Sequence, residues 1–448
     1  MSRSLVDKYS KPVPRYTSYP TAPHFHQGID QTTYHRWLDE LSPKARASLY
    51  LHLPFCDRLC WFCGCHTKQT NRYGPVAAYL EALTAEMRHI GRRLGPREVT
   101  ALHWGGGSPS LIAPADIVGT TQVLREAFNI SPAAEFSVEL DPNDMDENRF
   151  DAWATAGLTR ASLGVQDFDP VVQRAINRIQ TLEQTREVVD AVRARGVNSV
   201  NIDMLYGLPH QTVAGAVQTA SMVMSMSPDR VALFGYAHVP WVKKHQSMID
   251  SEALPGAFDR FDQAEAAAEA LMAGGYVQVG MDHFSLPHDS LAKTAIQGKL
   301  HRNFQGYTVD AHEALIGLGA SAIGRLPQGY VQNVVSTHEY QRRALATGDV
   351  IDRGVSITGQ DAARSFAIER IMCDFSLEFE DLRTRYGGLA EPIIEDAIDL
   401  AMQDTDGIVA LLPGRLAVTE VGRPFVRTIA STFDAYLGVG AARYSRAV

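Results

Sequence analysis

A chain of 448 residues with 45% hydrophobic and 21% charged side chains has the make-up of a folded globular protein, long enough for a large catalytic domain and a smaller companion. Its formal charge of -9 argues against a nucleic-acid or anionic-membrane partner, and no apolar run reaches the roughly 18 residues of a membrane span. Four of the five cysteines crowd into ten residues and the fifth is Cys373, a pattern that excludes a secreted disulfide scaffold and points to a reducing interior.

The polar start MSRSLVDKYSK does not read as a signal peptide, so the cytoplasm is the expected compartment. From Ser48 onward short β-rich runs alternate with amphipathic helical stretches, the pattern of parallel strands joined by helices. The predicted strands are Ser48 to Pro54, Val99 to Trp104, Glu135 to Leu140, Thr159 to Gly164, Ser199 to Met204 and Arg230 to Tyr236. Helices are predicted over Val76 to Leu94, Ala115 to Phe128, Leu182 to Arg195 and Val213 to Met226, then an alanine-rich one around Phe261 to Met272 before a further strand, Tyr276 to Met281. From about Ile357 the pattern becomes helical, broken by the hairpin GIVALLPGRLAVT (Gly407 to Thr419). Polar motifs fall at or just past strand ends, where a parallel barrel builds its site.

Cys56, Cys60 and Cys63 have the spacing C-x3-C-x2-C, short enough to wrap three thiolates round one face of a 4Fe-4S cluster and one ligand short of the usual four. A structural zinc would want two separated pairs, whereas Cys63 and Cys65 flank a single glycine. A thioredoxin-like pair over Cys60 and Cys63 would need neither of the other cysteines. Gly105, Gly106 and Gly107 follow a strand and read either as a tight turn or as backbone that approaches a ligand. Glu139 and Asp203 lie near strand ends, where a carboxylate can accept from ribose hydroxyls or cap a helix. Arg178 reads as a carboxylate fork or as a surface ion pair, and His52 and His238 as ordinary core or loop histidines. Phe304 and Tyr307 could stack on a ring or fill core.

The cysteine motif resembles the signature of the radical S-adenosylmethionine enzymes. PRYTSYPTA (Pro14 to Ala22), HWGGGSPS (His103 to Ser110), VELDP (Val138 to Pro142), GVQDF (Gly164 to Phe168), NIDMLYGLP (Asn201 to Pro209), GMDHF (Gly280 to Phe284) and HRNFQGYT (His301 to Thr308) resemble the oxygen-independent coproporphyrinogen III oxidases. The likeness runs from about residue 8 to FDAYL near Asp434. It implies an α/β fold, an open (βα)6 three-quarter TIM-type barrel with a small, mostly helical, winged-helix-like C-terminal domain. The expected division is residues 1–40 as an extension covering the active site, 41–355 as the catalytic barrel and 356–448 as the helical domain.

The implied chemistry is oxidative decarboxylation of two propionates of coproporphyrinogen III to vinyl groups by a 5'-deoxyadenosyl radical, giving protoporphyrinogen IX. One 4Fe-4S cluster on Cys56, Cys60 and Cys63 is implied, with two molecules of S-adenosylmethionine. Tyr50, Gly106, Glu139 and Ile323 would contact the cluster-bound molecule; Phe62, Gly107, Ser108, Gln166, Arg178, Asp203 and Ala237 would contact the second. Ser108 stands where the family more often has threonine. Four propionates call for cationic or amide donors, for which Arg15, Tyr16, His301, Arg302 and Asn303 are the candidates. A flavodoxin or ferredoxin-type electron donor and a monomeric state are also implied. The alternatives are a haem-binding chaperone on the same scaffold, another radical enzyme of tetrapyrroles, or a low-activity paralogue; Cys65 and the PRYTSYPTA segment speak against the first.

Overall fold

The structure, a computed structural model, describes residues 3–438 and 444–446; the remaining positions of the expected extension and helical domain lie outside the described residues. Its frame is a twelve-stranded sheet. Six strands enter it side by side in chain order, all parallel: β1 (Ala47–Leu53), β2 (Glu98–Gly106), β3 (Asn129–Leu140), β4 (Arg160–Gln166), β5 (Ser199–Tyr206) and β6 (Arg230–Gly235). The strand Ala314–Leu318 adds a seventh parallel member beside β1. Leu49, Leu51, Val138, Leu163 and Ile202 are buried along these strands, as expected of a parallel sheet covered on both faces.

The connecting helices are α1 (Gly74–Leu94), α2 (Pro114–Ala127), α3 (Glu147–Ala156), α4 (Leu182–Ala194), α5 (Val213–Met224) and α6 (Ala257–Ala273). Their starts are written in the sequence: Asp146, Thr181 and Thr212 each accept a hydrogen bond from the backbone N–H three residues on, at 2.9, 3.1 and 3.0 Å. Each such cap stabilises its helix by about 1 kcal/mol. The Glu86 carboxylate of α1 is buried against Gly319 N–H (2.8 Å), Asn333 Nδ2 (2.8 Å) and the Tyr340 hydroxyl (2.5 Å), which pins the helix to the sheet edge.

The last strand expected from the sequence departs from the barrel pattern. Val277–Val279 pairs antiparallel with His283–Ser285, which in turn runs antiparallel to β6. A crossover to a further parallel strand takes a dozen or more residues, and Gly280 instead reverses the chain at φ +60°. On the other side Ile323–Leu326, Gly329–Asn333 and Ile351–Ser356 extend the sheet as an antiparallel meander that the sequence pattern does not reveal. Among the described residues the two ends of the sheet do not pair with each other, so it stays open.

The C-terminal region carries helices Gly359–Asp374, Phe379–Tyr386 and Glu391–Gln403 and an antiparallel sheet in the order Ser376–Glu378, Arg415–Val418, Val409–Leu412. The last two strands are the hairpin expected at Gly407 to Thr419. Ile371, Leu377, Leu382, Ile393, Leu416 and Phe425 form its core, and Val6, Tyr16 and Tyr19 of the N-terminal segment are packed into that same core. Among the described residues no helix is long and apolar enough to cross a membrane.

Candidate functional site

The C-terminal ends of β2 to β5 and the cysteine loop enclose a cavity of about 170 Å³ lined by Cys56, Cys60, Cys63, Cys65, Phe62, Gly106, Gly107, Ser108, Glu139, Gln166, Arg178 and Asp203. Backbone contacts fix the loop against β2: Gly107 N–H donates to Leu53 O and Ser108 N–H to Phe55 O, both at 2.7 Å. A Cβ at Gly107 would stand 2.4 Å from Phe55 O, and at Gly106, where φ is +109°, it would lie 2.4 Å from the His52 ring. These glycines are therefore demanded by the protein's own close packing, which leaves their backbone facing the cavity.

Glu139, Asp203 and Arg178 at the cavity each have an orienting partner. Glu139 accepts from Gly106 N–H at 3.0 Å and pairs with His103 Nε2 at 3.1 Å. Burial opposes its charge, but His103 and the Gly106 N–H outweigh burial and hold the carboxyl below the usual range. Asp203 accepts from Asn201 Nδ2 at 2.8 Å, and burial raises its carboxyl to about 7 against that bond, with Glu139 adding repulsion. Arg178 donates to Asp141 Oδ2 at 2.9 Å and to Gln180 Oε1 at 3.2 Å, and lies 3.6 Å from Cys60 Sγ; its Nε, shut away from solvent, has no hydrogen-bond partner among the described residues.

Burial pushes the Cys56 thiol up to about 12 and raises Cys60 against the pull of Arg178. Cys63 alone is lowered, to about 7, by the hydrogen bond from Cys65. Two of the three thiols thus need a cation to ionise, and three soft sulfurs on one short loop suit iron in a cluster. The residues present fit a 4Fe-4S cluster.

Three expected contacts stand outside this lining. Tyr50 lies below it, stacked on His103 at 5.8 Å with its hydroxyl 2.9 Å from His52 Nδ1. Ala237 is adjacent: Gln246 Nε2 bridges its carbonyl (3.2 Å) and that of Phe62 (2.9 Å). Ile323 begins an antiparallel strand and packs beside Phe25, Tyr330 and Val355. Residues that the sequence reading did not single out include Asp141, the partner of Arg178, Thr67, whose hydroxyl is 3.0 Å from Cys56 Sγ, and His245, whose Nε2 is 2.7 Å from Cys63 O. Asp141 stands inside the VELDP motif, so its signal was there; the other two lie in segments without a pattern.

The expected substrate residues gather elsewhere. Arg15 donates to Gly235 O at the end of β6 (2.8 Å) and borders a second cavity of about 260 Å³, shared with Tyr206, Arg260, Asp282 and Arg427. Arg302 donates through Nε to Arg15 O (3.3 Å), lies over the Tyr307 ring and stands 3.9 Å from Asp282. Tyr16 gives its hydroxyl to Asp434 at 3.0 Å, and His301 pairs with Glu369 at 3.2 Å, while Asn303 caps its own turn by accepting from Gln305 N–H. Phe304 sits edge-on against Tyr330. Arg260 and Arg427, both without a motif, are missing from the sequence reading.

Residues 50–223 match the radical SAM superfamily. Over 97% of both chains, the sequence is 48% identical to the oxygen-independent coproporphyrinogen III oxidase of Bradyrhizobium diazoefficiens. It is 46% identical to that of Paracoccus denitrificans over 95% of this chain and 94% of the relative. The fold superposes on coproporphyrinogen III oxidase (HemN) from Escherichia coli, a radical SAM enzyme, with a TM-score of 0.91 and 34% identity over 97% of this chain and 99% of the other.

Proposed function

This chain belongs to the oxygen-independent coproporphyrinogen III oxidase family of the radical SAM superfamily, and we propose that it converts two propionates of coproporphyrinogen III to vinyl groups, yielding protoporphyrinogen IX for haem biosynthesis. The observation that carries this reading is the meeting of Cys56, Cys60 and Cys63 with Glu139, Arg178 and Asp203 around one cavity at the strand ends. When bound, a 4Fe-4S cluster with S-adenosylmethionine supplies one-electron reductive cleavage and the hydrogen abstraction that precedes loss of carbon dioxide.

The chain's own residues hold and orient. Cys56, Cys60 and Cys63 would hold the cluster, and Glu139, kept ionised by His103 and the Gly106 N–H, would accept hydrogen bonds from the hydroxyls of the cluster-bound cofactor, with Gly106, Tyr50 and Ile323 as its further contacts. Phe62, Gly107, Ser108, Gln166, Arg178, Asp203 and Ala237 would hold a second S-adenosylmethionine. In support, Arg178 keeps an unused Nε in a buried setting that suits a carboxylate. Arg15 and Arg302, with Arg260 and Arg427 near them, take substrate carboxylates; burial lowers the Arg15 guanidinium, which donates to the Gly235 carbonyl. Tyr16 and His301 help to shape that side through Asp434 and Glu369.

Residues 1–40 act as a cover over the 41–355 barrel and 356–448 as the domain that holds it down, supported by Arg427 donating to Val13 O and Pro14 O. Covering excludes water and thiols from a radical reaction. A flavodoxin or ferredoxin-type protein delivers the electron, and the enzyme works as a cytoplasmic monomer.

The test is an anaerobic assay of cluster-loaded protein with dithionite, S-adenosylmethionine and coproporphyrinogen III, following 5'-deoxyadenosine and protoporphyrinogen by chromatography. Both products together are expected. Deoxyadenosine alone would move the substrate elsewhere, and neither product from cluster-loaded protein would overturn the reading in favour of a binding protein.

A further inference from the structure

Three side chains from distant parts of the chain meet at their tips. His35 stands on the helix Gln31–Glu40, His89 near the end of α1, and Asp349 in the turn before the strand Ile351–Ser356. His35 Nε2 and His89 Nε2 are 3.3 Å apart, and Asp349 Oδ1 lies 3.4 Å from the first and 3.1 Å from the second. Tetrahedral zinc with bonds of about 2.0–2.1 Å separates its ligand atoms by about 3.3–3.4 Å, so the triangle has the dimensions of one face of a zinc tetrahedron.

Hydrogen bonding alone accounts poorly for this meeting. Asp349 Oδ1 is shut away from solvent yet makes no hydrogen bond among the described residues, although two imidazole nitrogens stand beside it. His35 Nε2 is 2.9 Å from Gln31 Nε2, and the Gln31 carbonyl oxygen already accepts from Ile351 N–H, so that contact has the Gln31 amide donating and the His35 nitrogen offering a lone pair. The turn is shaped to the ring: a Cβ at Gly348 would fall 2.4 Å from His89 Cγ, so glycine there lets the backbone lie against the imidazole and brings Asp349 beside it.

We propose that His35, His89 and Asp349 form a site for a divalent ion of the zinc class, separate from the cysteine loop, with water in the fourth position. Two imidazoles and one carboxylate suit zinc. On zinc binding the Gln31 amide gives up the His35 lone pair and is free to donate to the metal-bound water. The site is a clip: it ties the helix that follows the N-terminal segment to α1 and to the meander edge of the sheet.

The experiment uses the full chain with its cluster assembled, so that the cysteines are occupied. Anaerobic equilibrium dialysis against buffered free zinc, with elemental analysis, should give one zinc per chain beyond the iron, and zinc K-edge absorption fine structure should show nitrogen and oxygen neighbours with imidazole scattering and no sulfur. Loss of an outer-shell partner already weakens metal sites about tenfold or more, so His35→Ala and His89→Ala should each cost more than that. Asp349→Asn keeps the size of the side chain and guards against misfolding as the cause; it should bind zinc more weakly with an unchanged melting temperature in zinc-free buffer. Sulfur neighbours, equal zinc in the wild type and His89→Ala, or no zinc retained by the wild type at micromolar free metal would each overturn the proposal and leave a hydrogen-bonded cluster only.

Discussion

The cysteine cavity and the arginine-lined cavity next to it are built on opposite plans. In the first, the groups come from strand ends and one ten-residue loop, and charge is matched: Arg178 meets Asp141, and Glu139 meets His103. In the second, Arg15, Arg260 and Arg427 come from three distant parts of the chain and reach the carbonyls of Gly235, Tyr236, Val13 and Pro14 among others, in a lining that also holds Glu265, Glu269, Asp282 and Glu420. Asp282 is the carboxylate within reach of Arg302, at 3.9 Å, and it also serves His283 at 2.7 Å. A site whose arginine and Glu139 already have fixed partners is set for chemistry on a resident group. One in which Arg15 and Arg260 rest on carbonyl oxygens among the described residues is suited to an anion that arrives and leaves.

The largest effect that would sharpen this contrast is loss of the cluster. Cys56→Ser, Cys60→Ser and Cys63→Ser should each abolish iron binding and all turnover, whereas Cys65→Ser should keep the iron; full iron and activity in Cys60→Ser would remove the ligand assignment. Next comes the buried pair. Arg178→Met leaves Asp141 charged and enclosed, and breaking such a pair from one side costs about 3–5 kcal/mol, a loss that urea unfolding would read. Arg15→Met, by contrast, removes a cation that forms no ion pair among the described residues and should leave unfolding much closer to the wild type while raising the KM for the porphyrinogen. Equal destabilisation by the two substitutions would break the comparison.

The barrel was legible because its signals are local. Alternating strand and helix patterns located all six parallel strands to within a few residues at most ends, and the caps at Asp146, Thr181 and Thr212 follow from short-range chemistry. The start of β3 at Asn129, six residues ahead of the expected Glu135, escaped notice because the stretch holding Asn129, Ser131 and Pro132 looks like a turn. The meander beyond Ala314 escaped for a related reason: strands of four to six residues broken by Gly324, Gly329 and Gly354 carry little periodicity. In the site, the motif residues Glu139, Arg178 and Asp203 reached the cavity, but the partners that set their charge depend on tertiary contact. Glu86 makes the same point in the core, a charged residue on a helix whose buried partners Tyr340 and Asn333 lie more than two hundred residues on. Arg260 and Arg427 had no motif, and only packing of the C-terminal region reveals them.

A moderate effect should come from pH. Folding raises the Asp203 carboxyl from 3.8 to about 7 through burial, so the folded state favours its protonated form. That contribution to stability is complete below pH 3.8 and is lost as pH rises through about 7. Only the ionised carboxylate accepts from two ribose hydroxyls, so the KM for S-adenosylmethionine should fall as pH rises through the same range. Asp203→Asn should flatten that dependence while leaving the iron content alone. A wild-type KM that is level across neutral pH would take Asp203 out of cofactor binding.

The smallest effect tests the cover itself. Tyr16 is buried with its hydroxyl on Asp434, and its ring belongs to the core of the C-terminal region. Tyr16→Phe keeps the ring and removes one hydrogen bond to a charged acceptor, worth about 1.5–3 kcal/mol. If residues 12–20 form a cover that opens for the porphyrinogen, this loss falls on the closed state: hydrogen exchange in that segment should quicken while β1 to β6 stay protected, and turnover should change less than in any cysteine variant. If the segment is simply part of the core, the whole C-terminal region should loosen together. The distinction matters because the arginine cavity is completed by Arg15, one residue before Tyr16, so a segment that opens would carry one of the anion's own ligands away with it.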